Sequence, residues 1–264
     1  MNGPDLTGCR VLYKPKGKAL EYAGVALSVY SGCPGGCWYC YVPAILHRTR
    51  QDFHGSAVAR PQLLRDLCYD LTRLRGDLGM VHMCFTCDPY PAVESGYGLT
   101  RSVIETLGVR GFRVQVLTKR PSLASRDFDL LGRFHGSLGI TLTYRDGPES
   151  IRMEPGCDTP ECRLSVLEAA CKARLYTWVS AEPVVNCQYT REMVHEALDR
   201  GVREVRVGPL NYNVRPYTAK EFALMIVDLC ALCAEHHAKL VIKEECEKLM
   251  DEAAGLMHGT ERKA

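Results

Sequence analysis

The sequence has almost no net charge. Its 33 Lys and Arg stand against 31 Asp and Glu and leave a formal +2, so bulk electrostatics do not draw it to nucleic acid, and such a partner has to meet a local patch. Three short basic patches qualify: Lys14, Lys16 and Lys18; His47, Arg48 and Arg50; Lys119 and Arg120. Such runs are usually solvated faces. Long apolar runs are also missing, and none approaches the roughly 18 residues of a membrane span. The first residues, with Asp5, Lys14 and Lys16, have no apolar segment of the signal-peptide kind. A cytoplasmic protein with no membrane partner is expected. No repeat of fixed period argues for a solenoid. With 46% hydrophobic residues the chain can build one large core, so residues 25–264 are expected to form a single domain behind an irregular lead-in over 1–24.

Cysteine, by contrast, is plentiful, at fourteen residues. Without a secretory signal these read as thiols or metal ligands rather than disulfides. Cys33, Cys37 and Cys40 fall within GCPGGCWYCY, residues 32–41, at Cys-x3-Cys-x2-Cys spacing. Gly35 and Gly36 let the backbone turn tightly between the first two thiols. Three thiolates suit a four-iron cluster that keeps one iron open, since an electron-carrying cluster normally takes four. A zinc site with His47 as fourth ligand fits the spacing as well. The pairs Cys157/Cys162 and Cys230/Cys233 could hold a second metal, but Cys230 and Cys233 fall on a helix rich in Leu and Ala, and buried free thiols are the stronger reading.

Periodicity gives alternating strands and helices. Strands are expected at Val25 to Tyr30, Val81 to Thr86, Arg113 to Thr118, Leu138 to Thr143, Leu175 to Ser180 and Glu204 to Val207. Helices are expected at Pro61 to Arg75 (closed by Gly76), Leu99 to Leu107, Leu123 to Phe134, Arg163 to Ala173, Arg191 to Arg200 and Ala219 to His236. A short strand at Leu240 to Lys243 begins a C-terminal strand–helix extension. Six strand–helix units with long connections imply a parallel α/β sheet with right-handed crossovers, two units short of a closed eight-stranded barrel. A partial (β/α)6 TIM-like barrel fits, with the cysteine loop after its first strand. Ligands of such folds sit at the carboxyl ends of the strands. Those ends carry the three cysteines, then Thr86, Cys87 and Asp88, then Lys119 and Arg120, then Thr143, Tyr144 and Arg145, then Glu182, and last Asn211, Tyr212 and Asn213.

The three cysteines with aromatic Tyr39 before the third resemble the signature of the radical S-adenosylmethionine (SAM) superfamily. The runs KPKGKALEYAG, TCDPYPAVE, LTKRP, RDFDLL, RMEPGCDTPECRLSVLEAA and VGPLNYN, in that order, resemble its spore photoproduct lyase-like branch, in particular short bacterial and phage-type members. The resemblance implies the same partial barrel. It also implies a 4Fe-4S cluster on Cys33, Cys37 and Cys40, whose open iron binds SAM, and an electron donor of flavodoxin or ferredoxin type. Tyr39 then neighbours the adenine, Lys119 holds the SAM carboxylate, and Thr141 or Thr143 offers a hydroxyl. Cys87 contacts SAM where the branch has serine. Asp88 and Glu182 complete the expected cofactor-binding set.

The lyase proper uses a cysteine as hydrogen donor at the place where this chain has Phe85, which speaks against photoproduct repair. Alternation along a strand puts Cys87, but not Cys84, on the side of Phe85, making Cys87 the candidate catalytic thiol. The resemblance suggests a modified thymine or other pyrimidine, in DNA or as a nucleotide, with a lyase or isomerase outcome. A flipped base needs aromatic walls and a basic rim, for which Tyr41, Tyr90, Tyr97, Tyr144 and Tyr212 with Arg48, Arg50 and Arg120 are candidates. Glu94, Arg126, Asp127 and Glu154 are candidates for ligand contacts or ion pairs. A zinc-binding protein and a simple iron–sulfur electron carrier remain as non-enzymatic readings.

Overall fold

A computed structural model describes residues 4–74, 79–210 and 215–261, with side chains through residue 255. Arg75 and Gly76, expected at a helix end, and Asn211, Tyr212 and Asn213, expected at a strand end, lie outside the described residues.

The expected strand Val25 to Tyr30 is two pieces, β1 (Val25–Leu27) and β2 (Tyr30–Ser31). The cysteine loop follows, then two short helices, α1 (Val42–Ile45) and α2 (Arg50–His54). Next, β3 (Val58–Ala59) returns to pair antiparallel with β2. The chain then alternates through α3 (Leu63–Arg73), β4 (Met80–Met83), α4 (Glu94–Tyr97), α5 (Leu99–Gly108) and β5 (Arg113–Thr118). It continues through α6 (Pro121–Ala124), α7 (Phe128–Arg133), β6 (Ser137–Thr141), α8 (Gly147–Met153), α9 (Pro160–Lys172) and β7 (Tyr176–Val184). It ends with α10 (Cys187–Asp199), β8 (Glu204–Pro209), α11 (Ala219–Glu235), β9 (Lys239–Ile242) and α12 (Glu244–Glu261).

Local chemistry accounts for the helix starts. Thr159 caps α9 by accepting from the Cys162 amide at 3.3 Å, with Pro160 at the first position, where an amide would be spare. Thr218 and Glu221 form a reciprocal capping box on α11, which buries Phe222, Met225, Ile226 and Leu229 on one face. The expected helix from Leu123 to Phe134 is broken between α6 and α7. There Asp127 turns inward to accept from the Tyr90 hydroxyl at 3.0 Å and from Arg101 at 3.1 Å.

Seven parallel strands form one sheet in the order β1-β4-β5-β6-β7-β8-β9. The strand expected as a tail is thus the seventh member, in register with β8 from Glu204↔Lys239 to Val207↔Ile242. The sheet is strongly curled. Arg206 on β8 donates to Gln115 on β5 at 3.1 Å, although strands three apart in a flat sheet stand roughly 14 Å from one another. This is a partial TIM-like barrel. Val81, Val114, Val116, Leu138, Ile140, Val179, Val205 and Val207 pack outward into the helical core. Alternate residues line the hollow of the curl, the polar His82, Gln115, Ser180 and Arg206 together with the indole of Trp178. Gly139 makes room for Trp178, because a Cβ there would stand 2.2 Å from the indole ring.

The described residues before β1 pack into the barrel. Asp70 on α3 accepts from the amides of Arg10, Val11 and Leu12 at 2.8–3.0 Å. Beyond Tyr13, which bridges to Ala26, a 3-10 turn over Gly17–Glu21 delivers Tyr22 into the hollow. No described helix is long and apolar enough to cross a membrane.

Candidate functional site

The cysteine loop leaves β2 at the carboxyl end of the sheet and is gripped from two sides. At Gly32, with φ +79°, a Cβ would meet the Ser56 carbonyl at 2.2 Å, so glycine is required there. From α2, the Arg50 guanidinium donates to the carbonyls of Cys37 at 2.6 Å and Cys40 at 3.1 Å. His54 Nδ1–H donates to the Cys33 carbonyl at 2.8 Å, and the Cys33 amide donates to the Phe53 carbonyl at 3.0 Å. From the other side comes the segment after α8. Its Met153 carbonyl accepts from the Trp38 amide at 3.0 Å, and its Gly156 amide donates to the Gly35 carbonyl at 3.0 Å.

Within this grip the thiols surround Gly35. A Cβ on Gly35 would stand 3.4 Å from Cys33 Sγ, 3.4 Å from Cys157 Sγ and 3.7 Å from Cys37 Sγ. Burial, with Asp88 nearby, pushes the Cys33 thiol up to about 12, and burial also raises Cys40. Cys37 is lowered, first by the hydrogen bond from Cys157 and then by the charge of Lys119. Among the described residues the one His/Cys/Asp/Glu group tight enough for a single ion is His195, Asp199 and His236, on α10 and just past α11. The loop thiols and His47 therefore lack single-ion spacing. Three thiols on a loop whose centre is a bare glycine suit a larger group whose irons each take one sulfur.

Most of the expected SAM-binding residues converge beside the loop. The Tyr39 hydroxyl donates to Glu154 and lies 3.3 Å from Thr143 Oγ1. Lys119 Nζ is 5.4 Å from the centre of the Tyr39 ring. Arg163 pairs with Glu154 at 2.6 Å and donates to the Thr141 carbonyl at 3.0 Å. Arg163 and Glu154 are 1% and 0% exposed, and burial raises the Glu154 carboxyl against the pull of the guanidinium.

Asp88 is close by, but its carboxylate is engaged. It accepts from Thr118 Oγ1 at 2.8 Å and from the amides of Lys119 and Tyr90 at 2.8 and 2.9 Å, which fixes the end of β5 and thereby Lys119. Glu182 lies elsewhere, inside β7 rather than beyond it. In the hollow it accepts from the Tyr22 hydroxyl at 2.5 Å and from Lys243 at 2.9 Å.

The expected facing of Cys84 and Cys87 is not what the chain adopts. Because β4 ends at Met83, strand alternation stops there, and the two thiols meet within the core beneath the cysteine loop. The Cys84 contact and burial hold the Cys87 thiol well above its ordinary range. Phe85 instead faces the hollow, its ring centre 4.1 Å from that of His82 and 6.0 Å from that of Tyr22.

Of the candidate aromatics, Tyr41 stands at the mouth, half exposed, its hydroxyl 3.4 Å from the Phe85 carbonyl. Tyr90 is buried on Asp127, Tyr144 accepts from the Trp38 indole, and Tyr97 is exposed on α4. Arg48 donates to the Asp52 carbonyl at 2.9 Å and Lys18 pairs with Glu245, so much of the basic patches serves the fold. Buried Glu94 pairs with Arg126, and Asp127 pairs with Arg101; both are structural. Sequence reasoning missed His54, Arg163 and Lys243, placed Arg50 on a basic rim rather than on the loop carbonyls, and read Cys157 as a thiol apart from the loop. For Cys157 and Arg163 the signal was available in the run RMEPGCDTPECRL, where a cysteine and an arginine flank a helix start.

No family model matches the chain. An uncharacterized protein of Methanocaldococcus jannaschii is 24% identical over 164 residues, 62% of this chain and 61% of its own. One of Mycobacterium tuberculosis is 28% identical over 180 residues, 65% of this chain and 52% of its own. The chain thus spans between about half and three fifths of the length of these relatives. An uncharacterized protein of Acidianus two-tailed virus is 28% identical over 194 residues, 69% of this chain and 63% of its own. Among solved structures, spore photoproduct lyase with bound AdoMet and dinucleoside spore photoproduct superposes with TM-score 0.64 at 12% identity, covering 89% of this chain and 79% of the lyase. Streptococcus suis SuiB bound to S-adenosylmethionine gives 0.61 at 11% identity, covering 82% and 49%. The chain therefore has the partial-barrel fold of the radical SAM enzymes spore photoproduct lyase and SuiB, with a Cys-x3-Cys-x2-Cys loop at its mouth.

Proposed function

We propose that the protein is a radical SAM enzyme acting on a modified pyrimidine. The observation that carries the reading is the meeting of Tyr39, Thr143 and Lys119 beside the loop of Cys33, Cys37 and Cys40, in a fold whose solved relatives bind SAM. When bound, a 4Fe-4S cluster on the three cysteines would pass one electron, from a flavodoxin or ferredoxin, to SAM and yield a 5′-deoxyadenosyl radical that takes hydrogen from the substrate. The chain's own groups prepare that step. Lys119 offers a cation to the SAM carboxylate. Tyr39 offers a ring face, held by Glu154 and steadied in turn by Arg163. Arg50 and His54 fix the loop carbonyls.

The substrate class rests on the lyase's dinucleoside ligand and on the mouth of the hollow, where Tyr41 and Phe85 present an aromatic wall. A flipped or free pyrimidine stacks on such a wall. Phe85 has no abstractable thiol hydrogen to return to a product radical, which favours a lyase or isomerase outcome over photoproduct repair. Cys87, beside Cys84, is assigned to packing beneath the loop.

The test is anaerobic. The protein is reconstituted with iron and sulfide, given SAM and dithionite, and assayed for 5′-deoxyadenosine beside Cys37→Ala. Formation that disappears in the variant is expected. A stable cluster that yields none, with or without modified DNA, would leave an electron carrier, and zinc in place of iron would overturn the reading.

A further inference from the structure

We infer that Cys157 is a fourth thiol of the cluster site and ligates the open iron until SAM arrives. This rests on the cluster reading above. Cys157 is no part of the Cys-x3-Cys-x2-Cys motif, yet the fold carries it there. The segment after α8 lies along the cysteine loop, joined by the Trp38–Met153 and Gly156–Gly35 backbone hydrogen bonds, each 3.0 Å. Two glycines permit the approach. A Cβ on Gly156 would stand 1.9 Å from the Pro34 carbonyl oxygen, and one on Gly36 would stand 2.9 Å from the Pro155 ring. Any other residue at either place would push the two segments apart.

The outcome of this close packing is that Cys157 Sγ lies 3.9 Å from Cys37 Sγ. It is also, equally with Cys33 Sγ, the nearest atom to the place where a Gly35 side chain would begin. Four thiols, from Cys33, Cys37, Cys40 and Cys157, thus belong to one loop site, the number a cluster takes when every iron has a protein ligand. A rotation about χ1 of either residue parts the two touching sulfurs so that each can hold its own iron. Cys162, the next cysteine, sits in the first turn of α9, with Asp158 and Arg163 as its charged neighbours.

The chemistry is a ligand exchange. On coordination the Cys157 thiol releases its proton and its sulfur bonds to the fourth iron. When SAM binds, its amino and carboxylate groups replace that sulfur, the Fe–S bond to Cys157 breaks, and the thiolate takes a proton back. No electron moves. The resting cluster is thereby protected against loss of its open iron, and SAM binds more weakly because it has a ligand to displace.

Wild type, Cys157→Ala, Cys157→Ser and the control Cys162→Ala are reconstituted anaerobically. Each is treated with ferricyanide and followed by iron content and by the electron paramagnetic resonance signal of a three-iron cluster. SAM affinity is measured separately by equilibrium dialysis on the untreated proteins. Wild type and Cys162→Ala should keep four irons, whereas both Cys157 variants should lose one and bind SAM several-fold more tightly. If the alanine variant does not fold, as judged by circular dichroism, the serine variant carries the comparison. Equal iron loss and equal SAM affinity in wild type and the Cys157 variants would overturn this inference while leaving the cluster reading intact. Absence of any iron–sulfur cluster in the wild type would overturn both.

Discussion

The ammonium of Lys119 stands 5.4 Å from the centre of the Tyr39 ring, which joins the end of β5 to the cysteine loop. A cation at that place offers a carboxylate a charge-assisted hydrogen bond, worth about 1.5–3 kcal/mol. Lys119→Met should therefore weaken SAM binding roughly 10- to 100-fold with an unchanged melting temperature. Equilibrium dialysis against labelled SAM measures this directly. Unaltered affinity would remove Lys119 from the site.

Arg50 reaches two loop carbonyls at once, those of Cys37 and Cys40. A planar fork does this from two separate nitrogens in a fixed geometry, where an ammonium has to reach both carbonyls from one point. Arg50→Ala should loosen the loop by about 1–3 kcal/mol and lower the iron retained after reconstitution and desalting, with Arg50→Lys between the two. Iron retention equal to wild type in Arg50→Ala would count against the clamp.

Arg163 and Glu154 form a fully buried pair. Removing one member leaves the other charged and unpaired, typically a loss of about 3–5 kcal/mol. For a domain of this size, Arg163→Met should lower the melting temperature by about 10 °C. The double variant with Glu154→Gln should recover part of that loss, because the orphaned carboxylate is gone.

His82 is buried between Gln115 and the rings of Phe85 and Tyr22, with Arg206 close by. Burial, and then the charge of Arg206, push its imidazole down to about 3 from an ordinary 6.5. The unfolded chain thus binds a proton that the folded chain refuses between those values. The stability contributed by neutral His82 is complete above pH 6.5 and is lost as pH falls towards 3, with a slope of at most ~1.4 kcal/mol per pH unit. Glu154 and Asp127, both raised by burial, act in the opposite sense. The difference between wild type and His82→Gln isolates the histidine. Urea melts from pH 7 to 4 should show wild type losing stability faster than the variant, and parallel curves would refute the assignment.

The seven strands and most helices are legible in the sequence because each strand is short, apolar and flanked by turn residues, and each long helix carries a period of about 3.6. The strand ends are less legible. At Met83 and Thr141 the ladder stops before the apolar residues do, since β4 and β6 give way to loops that serve the site. In the hollow, His82, Gln115 and Arg206 alternate with valines, a pattern that ordinarily marks a water-facing side. Here the curl buries that side, and the polar groups bond with one another. Cys33, Cys37 and Cys40 are legible because their spacing is local. Cys157, Glu154 and Arg163 stand out as residue types in RMEPGCDTPECRL, but their meeting with the cysteine loop is not legible, because segments more than a hundred residues apart must dock first and no local periodicity reports such docking.

The lead-in closes the seam between the first and last strands: Lys18 pairs with Glu245, and Glu21 accepts from the Glu244 amide at 3.3 Å, 223 residues away. A ribosome adds roughly 5–20 residues each second, so the lead-in waits roughly 10–45 s for partners that follow it by 223 residues. Throughout that interval Tyr22 has no Lys243 to cover it. The barrel therefore stays unlatched until the lead-in meets α12, and a nascent chain stalled before residue 245 keeps that seam open to chaperones and proteases.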